Sequence, residues 1–572
     1  MLHFIDFEVI QSGDWLCAIF NYEKKKMFEI INDEEKLAKY YERYKNEIFV
    51  GYNIRNYDQY IFKAILLGLS PVKVNNKIIH DNMKGWQISS EFKNLQLNMF
   101  DAQYSANYSL KQLEAFQGHD IRESDIDFMT ERRLTEDELQ ELMSYCKNDV
   151  LETVNVFFKK IEEFDAYLSL IRTFNMRISD LGKTKAQLSA KILDCKYTKR
   201  DDAFDIEYID IIKINKYQQA IDFFIGNTDY NSKLELMIAG VPHTIAWGGL
   251  HGARAKYHAS TENGKYKILH VDVRSYYPSM MIIYRLLSRS VGNFEYYVEI
   301  YDTRIALKKQ GKKKEQAPYK IILNGTYGIS KDKYNPAFDE KMANCVCING
   351  QLLLIDLIEK LEDVPSFELI QSNTDGLIVK VKTEYFEMLK SVCAEWETRT
   401  KFNLDVDDIN EIWQKDVNNY VFTSTGKNGN IEIERKGGYV KDTNELDNDL
   451  PIVSRAMVNY MVYGTPVEET VMSSNALIDF QKIVKTSSKY KAAWHRGVYL
   501  HNKVNRVFAS RFNDGYIGKI KEEGATIEKF ANTPDNCFID NGDITEKGCP
   551  VRLDKNYYIT LAKKRLSEFG AL

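Results

Sequence analysis

Residues 266–280, YKILHVDVRSYYPSM, and residues 367–382, FELIQSNTDGLIVKVK, carry the reading that decides the fold. In the first, a β-rich run ends in Asp272 where the chain turns, and a carboxylate at a strand terminus projects towards a substrate rather than into a core. In the second, two β-rich arms flank a short polar turn, which predicts a hairpin with Asp375 at its tip. A turn carboxylate escapes ladder pairing and can share a cation with a neighbouring strand. Either Asp alone is also what turn chemistry favours, because Asp bonds its own backbone there. Between the two stretches, residues 320–328, KIILNGTYG, place Lys320, Asn324 and Tyr327 on one stripe of a helix predicted to end at Gly328. A cation, an amide and an aromatic on one face suit a triphosphate and a stacked base better than a core. Arg304 and Lys308 repeat the i, i+4 spacing with positive charge, beside the Lys-rich run KKQGKKK.

Towards the N-terminus, residues 4–10, FIDFEVI, and 15–22, WLCAIFNY, read as paired strands, and 47–53, EIFVGYN, as another. Residues two apart on a strand share a face, so Asp6 and Glu8 stand side by side, and two such carboxylates repel unless a cation lies between them. Further carboxylates follow in YNIRNYD, with Asn53, Tyr57 and Asp58, and in YCKND, where Tyr145 and Asp149 share a helix face. That helix is predicted over 134–164, opened by a Thr cap with acidic residues in its first turn. Two-metal hydrolysis of a phosphodiester needs this inventory: carboxylates to hold two ions about 4 Å apart and a hydroxyl to orient water.

The chain has 572 residues, too many for one core, so two to four domains are expected. With 44% hydrophobic and 28% charged residues it reads as globular, and no unbroken apolar run suggests a membrane span. The first ten residues lack a basic, an apolar and a cleavage region, so a cytoplasmic setting is expected, in a bacterial host if the gene is viral. Eight scattered Cys, with Cys345 and Cys347 the one close pair, predict reduced thiols rather than a zinc site. The net charge of −5 hides local basic clusters. The pattern is mixed α/β and α+β over several domains.

These motifs, in this order, resemble family B DNA polymerases with an N-terminal exonuclease of the DEDD type. Asp6 and Glu8 match DxE, Asn53 to Asp58 match Nx3YD, Tyr145 to Asp149 match Yx3D, and Ser109 and Leu110 in YSLKQL match the S/T-L element that contacts a single strand. DVRSYYP matches motif A, KIILNGTYG motif B and SNTDG motif C. AWGGLHG, with Gly248 and Gly249, is similar to the YxGG element. The resemblance implies an RNase H-like exonuclease domain at 1–165, a helical connection at 166–235, a right-hand palm at 236–290 and 346–440, short helical fingers at 291–345, and a thumb at 441–572. Its implied catalytic residues are Asp272 and Asp375 for synthesis and Asp6, Glu8, Asp58, Tyr145 and Asp149 for proofreading. The implied metal ligands are Asp272, Val273, Asp375, Asp6, Glu8, Asp58 and Asp149, holding two Mg2+ per site with Mn2+ as substitute. Lys320, Arg304, Lys308, Asn324 and Tyr327 are implied to hold the incoming dNTP, with Tyr277 under the sugar as a gate against ribonucleotides. Asn53, Tyr57, Ser109, Leu110, Gly248, Gly249, Tyr420 and Lys436 are implied DNA contacts. The implied partners are primer–template DNA, single-stranded DNA and dNTPs, with a terminal protein or processivity factor as a further class, no membrane, and a monomeric enzyme replicating viral or mobile-element DNA. The compact spacing is closest to the phage-type, protein-primed branch without its two insertions.

The chain departs from the family pattern in several places. Asn373 stands where motif C has its first Asp and Gly376 where it has Ser, which predicts reduced or retuned synthesis. Gly325 replaces Ser in motif B. NNY at Asn418 to Tyr420 replaces KxY, with Lys436 as the candidate cation, and Ala246 takes the aromatic place of YxGG with Trp247 beside it. Two alternatives stay open: an exonuclease with a degenerate palm, and a non-catalytic DNA-binding replication scaffold.

Overall fold

The computed structural model describes residues 1–103, 108–522 and 526–572. They form two compact units, each discontinuous in sequence. The first gathers Met1–Thr184, Thr443–Pro451 and Ser474–Tyr557, and the second Lys185–Asp442, Ile452–Ser473 and Tyr558–Leu572. Ser474–Tyr557, distant in sequence, gathers with Met1–Thr184 in the first unit.

In the first unit, five strands lie in the order Lys26–Ile31, Trp15–Asn21, Leu2–Val9, Ile48–Gly51, Met99–Asp101. The first three run antiparallel and the last two join in parallel. Alternation on Leu2–Val9 buries Ile5, Phe7 and Val9 in an aromatic-rich core with Phe49, Tyr41 and Phe62, which leaves Asp6 and Glu8 on the opposite face. The helix Glu136–Lys159 covers that face, opened by Thr135 in a capping box with Glu138. It ends at Lys159 with Lys160 as its cap, and a second helix, Ile161–Thr173, follows, with the Phe157 and Phe164 rings in tilted contact at 5.0 Å.

Ser474–Tyr557 contributes a three-stranded and a four-stranded sheet. Arg506 ties them to the N-terminal part. Its guanidinium is fully buried and donates to Gln481 Oε1, to the carbonyls of Asp540 and Gly542, and to those of Ala115 and His119 at the end of the helix Leu110–Gln117. Ala115 lies in the last turn of that helix and His119 just beyond its Gly118 cap.

The second unit is built on a seven-stranded antiparallel sheet in the order Leu404–Ile409, Tyr266–Val273, Gly376–Lys382, Glu368–Ser372, Gly249–Ala253, Val241–Ala246, Lys233–Ile238. The hairpin expected around Asp375 forms, and a further one pairs Asn419–Thr425 with Ile431–Lys436. The helix carrying Lys320 runs from Lys313 to Lys331 rather than ending at Gly328. Gly328 keeps a negative φ, and buried Ile329 and Ser330 hold the last turn against the core. Helix Glu340–Leu361 is long and apolar enough to cross a membrane, yet 94% of its apolar window is buried, which makes it a core helix. All eight Cys are free of disulfides, Cys345 and Cys347 among them.

Replacing Arg506 by Met would remove the donor shared by four backbone carbonyls and Gln481 Oε1, so a loss of about 3 kcal/mol is expected, read as a lower urea midpoint of the first unit. An unchanged midpoint would show that water enters and the tie is dispensable.

Candidate functional site

Asp6, Glu8 and Asp149 each offer one carboxylate oxygen, and the three atoms lie within 4.8 Å of one another. The strand supplies the first two by alternation, and the helix Glu136–Lys159 supplies the third. Asp58 opens the helix Asp58–Leu66 and accepts the Phe7 N–H at 3.3 Å, which draws it to the same strand. Withdrawal from water, then repulsion by the neighbouring carboxylates, raises Asp6 and Glu8 well above the ordinary range. Burial carries Asp58 to about 7. Asp149 is raised for the same first reason and pulled back by Lys111, Tyr145 and Asn148. Burial and these anions also raise the Tyr145 phenol, keeping it protonated and able to donate.

Lys111 is the residue the sequence reading passed over. Its ammonium donates to Asp149 Oδ1 at 2.5 Å and to Glu114 Oε1 at 2.9 Å, and sits 4.5 Å from the Tyr145 ring centre. Glu114 is fully buried, with a carboxyl pushed up to about 8 by desolvation. The available signal was a Lys and a Glu at i, i+3 on a short helix, each directly after a Leu, Leu110 and Leu113. Such a cation partly offsets the repulsion among four carboxylates. The neighbouring sequence candidates have structural partners. Ser109 N and Oγ donate to Gln112 Oε1, and Leu110 is buried with Leu113 and Phe116. Asn53 takes φ of 60° while Asp101 accepts its N–H, and the Tyr57 hydroxyl donates to Asn75.

In the second unit, Asp272 pairs with Gly376 across the strands Tyr266–Val273 and Gly376–Lys382, and Val273 N donates to Asp375 O at 2.9 Å. A Cβ at Gly376 would lie 2.9 Å from Asp272 Oδ1 and 3.0 Å from Val271 O, so a side chain there would have to displace the Asp272 carboxylate. Burial first, then Asp375, Asp405 and Asp407, raises Asp272 to about 7, and Lys308 opposes the rise. Asp405 and Asp407 were not read from sequence. They alternate on Leu404–Ile409, opposite Asp272 and His270, as Asp6 and Glu8 alternate in the other unit. Arg274 binds Asp405 through Nε at 3.1 Å and holds its carboxyl below the usual range.

Around this pair, Arg304 is buried, donates to Ser275 Oγ at 3.2 Å, and has no carboxylate partner among the described residues. Ser275 itself takes a left-handed φ of 51°, a strained backbone at the turn after Asp272. Tyr277 and Tyr327 pack with ring centres 4.5 Å apart, and Lys320 and Asn324 are exposed on the same helix as Tyr327. Tyr420 lies directly opposite Lys436, whose ammonium sits 5.8 Å from its ring. Asn373 Oδ1 accepts the Thr374 N–H at 2.9 Å, a turn closure that an Asp would serve equally. Gly248 and Gly249 form the turn region between Val241–Ala246 and Gly249–Ala253, with Gly249 at φ 148°. Trp247 does not supply an exposed aromatic: it is buried against Phe204, Phe224 and Tyr230.

No protein-family model matches the chain and no curated protein is similar to it. Among solved structures, the family B DNA polymerase from the hyperthermophilic archaeon Pyrobaculum calidifontis is similar over 100% of this chain and 78% of that one, at 14% identity and a TM-score of 0.44. That likeness is too distant to assign an activity, which rests on the residues themselves.

The metal-free protein is expected to lose stability as pH rises. Asp58 and Asp272 titrate at about 7 when folded against an ordinary 3.8, so the folded chain keeps protons the unfolded chain has released. Their contribution is fully present below the unfolded value and is lost as pH climbs through the folded one. Thermal melts in chelator between about pH 5 and about pH 8 should show a falling midpoint that excess Mg2+ flattens, whereas a rising midpoint would contradict the carboxylate crowding. Lys111→Met should cost about 3 kcal/mol in chelator, with Mg2+ recovering most of the loss.

Proposed function

We propose that the chain is a template-directed DNA polymerase carrying a 3′→5′ exonuclease, both served by carboxylate-held divalent ions. The observation that carries the reading is the register that sets Asp272 opposite Gly376 with Asp375 adjoining, so that two crowded carboxylates of the second unit share one edge. All-oxygen donors suit Mg2+. Bound at such carboxylates, divalent ions lower the pKa of an attacking hydroxyl or water and neutralise charge on the leaving group.

The chain's own residues supply the rest. Arg304, a buried cation with no carboxylate partner among the described residues, suits the triphosphate, and Lys308 and Lys320 add charge from the helix surface. Tyr277, braced by Tyr327, forms a floor suited to a deoxyribose and hostile to a 2′-hydroxyl. Lys436 beside Tyr420 supports the reading of a primer-terminus clamp without the usual KxY lysine. In the first unit, Tyr145 orients the attacking water and Asp6, Glu8, Asp58 and Asp149 hold the ions. The strand order of that sheet supports an RNase H-like domain. Primer–template DNA, a frayed single strand and dNTPs are the partners, and replication of viral or mobile-element DNA is the setting.

A nuclease with a weak synthetic centre is the second reading, favoured by Asn373. Primer extension on a recessed template, with and without dNTPs, separates the two. Asp272→Asn and Asp375→Asn should each cut extension about a thousandfold or more and spare digestion, while Asp6→Asn with Glu8→Gln should do the reverse. Extension that survives Asp272→Asn would sink the assignment. Asn373→Asp should fold as the parent, since Oδ1 keeps its turn bond, and raise extension several-fold. No change would show that this position lies outside the metal-binding set.

A further inference from the structure

One thiol lies where the two tyrosines of the proposed sugar floor meet the core. Cys347 is fully buried, on the helix Glu340–Leu361. Its Sγ–H donates to the Trp247 carbonyl at 3.4 Å, so the hydrogen is spent and the sulfur is left as an acceptor. Gln351 Nε2 reaches that sulfur at 3.5 Å, and the hydroxyls of Tyr277 and Tyr327 both hydrogen-bond to it. Burial first, and then the sulfur, raises both phenols well above their ordinary range, so both keep their protons and donate. A single acceptor shared by two neighbouring rings restrains both from beneath.

The same helix also holds Tyr277 at its ring edge. Gly350 shares a helix face with Cys347 at i, i+3, and a Cβ added there would stand 3.5 Å from Cε1 of both Tyr276 and Tyr277. The Tyr276 hydroxyl donates to Gly350 O at 2.7 Å, which seats the start of the helix Tyr276–Ile283 on this bare backbone. Tyr327 closes a second side of Tyr277, with ring centres 4.5 Å apart. Behind Tyr327, the Lys331 ammonium sits 5.1 Å from its ring and donates to the same Trp247 carbonyl at 3.3 Å. Tyr277 is thus held by a ring, a helix backbone and a sulfur, and stays half-buried rather than enclosed. An apolar wall rejects an added hydroxyl by only about a hundredfold even when well formed. A ring free to give way would admit that hydroxyl, so selection depends on what stands behind the ring.

We propose that Cys347 is a positioning residue for sugar selection: its sulfur, shared by Tyr277 and Tyr327 and anchored to the Trp247 carbonyl, keeps the floor from yielding to a 2′-hydroxyl. The proposal rests on the reading of Tyr277 as the sugar floor of a nucleotide site. The thiol touches no nucleotide and acts through the two rings.

The test compares dATP with ATP on the full chain, in an Asp6→Asn, Glu8→Gln background that leaves the primer intact. One arm measures single-nucleotide extension in Mg2+. The other measures binding of base-labelled fluorescent dATP and ATP on a primer ending in a dideoxynucleotide, which lacks the attacking hydroxyl. Cys347→Ala should lower the dATP-over-ATP ratio of kcat/KM about tenfold, the worth of roughly one hydrogen bond, chiefly by raising ATP use. The binding ratio should fall with it. Cys347→Ser, which keeps a group able to donate and accept, should recover most of the loss. Cys393→Ala, which removes a buried thiol from the helix Phe386–Thr400 of the same unit, should leave the ratio at the parental value. An unchanged ratio in Cys347→Ala, an equal fall in dATP and ATP use, or a Ser variant no better than the Ala one would overturn the role. A parent without preference for dATP would do the same. A binding preference that Cys347→Ala weakens, with no extension by any variant, would count against the polymerase reading and leave the role standing. Extension whose selection Cys347→Ala does not move would do the reverse.

Discussion

The antiparallel register between Tyr266–Val273 and Gly376–Lys382 is the constraint from which the chemistry of the second unit follows. Asp272 opposite Gly376 and Leu269 opposite Val379 are parts of one ladder, so the carboxylate cannot leave its place without moving buried Leu269, Val271 and Val379. A slip of one residue would turn Asp272 to the other face and expose that apolar row. The ladder therefore holds two mutually repelling carboxylates close together, at a cost offset by burial elsewhere along the same strands. Gly376 makes the approach possible, because any side chain there would meet Asp272 Oδ1.

The first unit reaches a similar crowding by another route. Its carboxylates come from a strand, a helix start and a second helix, and no single ladder fixes them. Lys111 is the internal cation that makes the arrangement tolerable, and the short helix carrying it is anchored at its far end by the buried Arg506 guanidinium. The β-rich C-terminal segment thus helps to hold a residue of the N-terminal site. That coupling is consistent with the segment's place in the same compact unit despite its distance in sequence.

Much of this was readable from local pattern. The alternation in FIDFEVI, the Thr135 cap, the SNTDG turn and the Lys320, Asn324, Tyr327 stripe each appear where period and turn chemistry put them, because each depends on neighbours within a few residues. Helix Glu340–Leu361 was harder to read, since nearly all of it is buried, Asn344, Asn349, Gln351 and Asp356 included, so no polar face marks its period. The burial of Trp247 was not legible either, because the residues that cover it, Phe204, Phe224 and Tyr230, lie at a distance in the chain.

Periodicity and turn chemistry determined which carboxylates were candidates: Asp6 and Glu8 by strand alternation, Asp149 by its helix face, Asp272 and Asp375 by strand end and hairpin tip. They could not say which charges from elsewhere stand beside them. Lys111 against Asp149, Asp405 opposite Asp272, Arg274 on Asp405 and Arg506 beneath the Leu110–Gln117 helix all depend on strand pairing or packing between distant segments. Electrostatic environment is a property of space rather than of chain order. A lone sequence therefore names individual charged groups, and folding supplies the neighbours and the burial that set their pKa values.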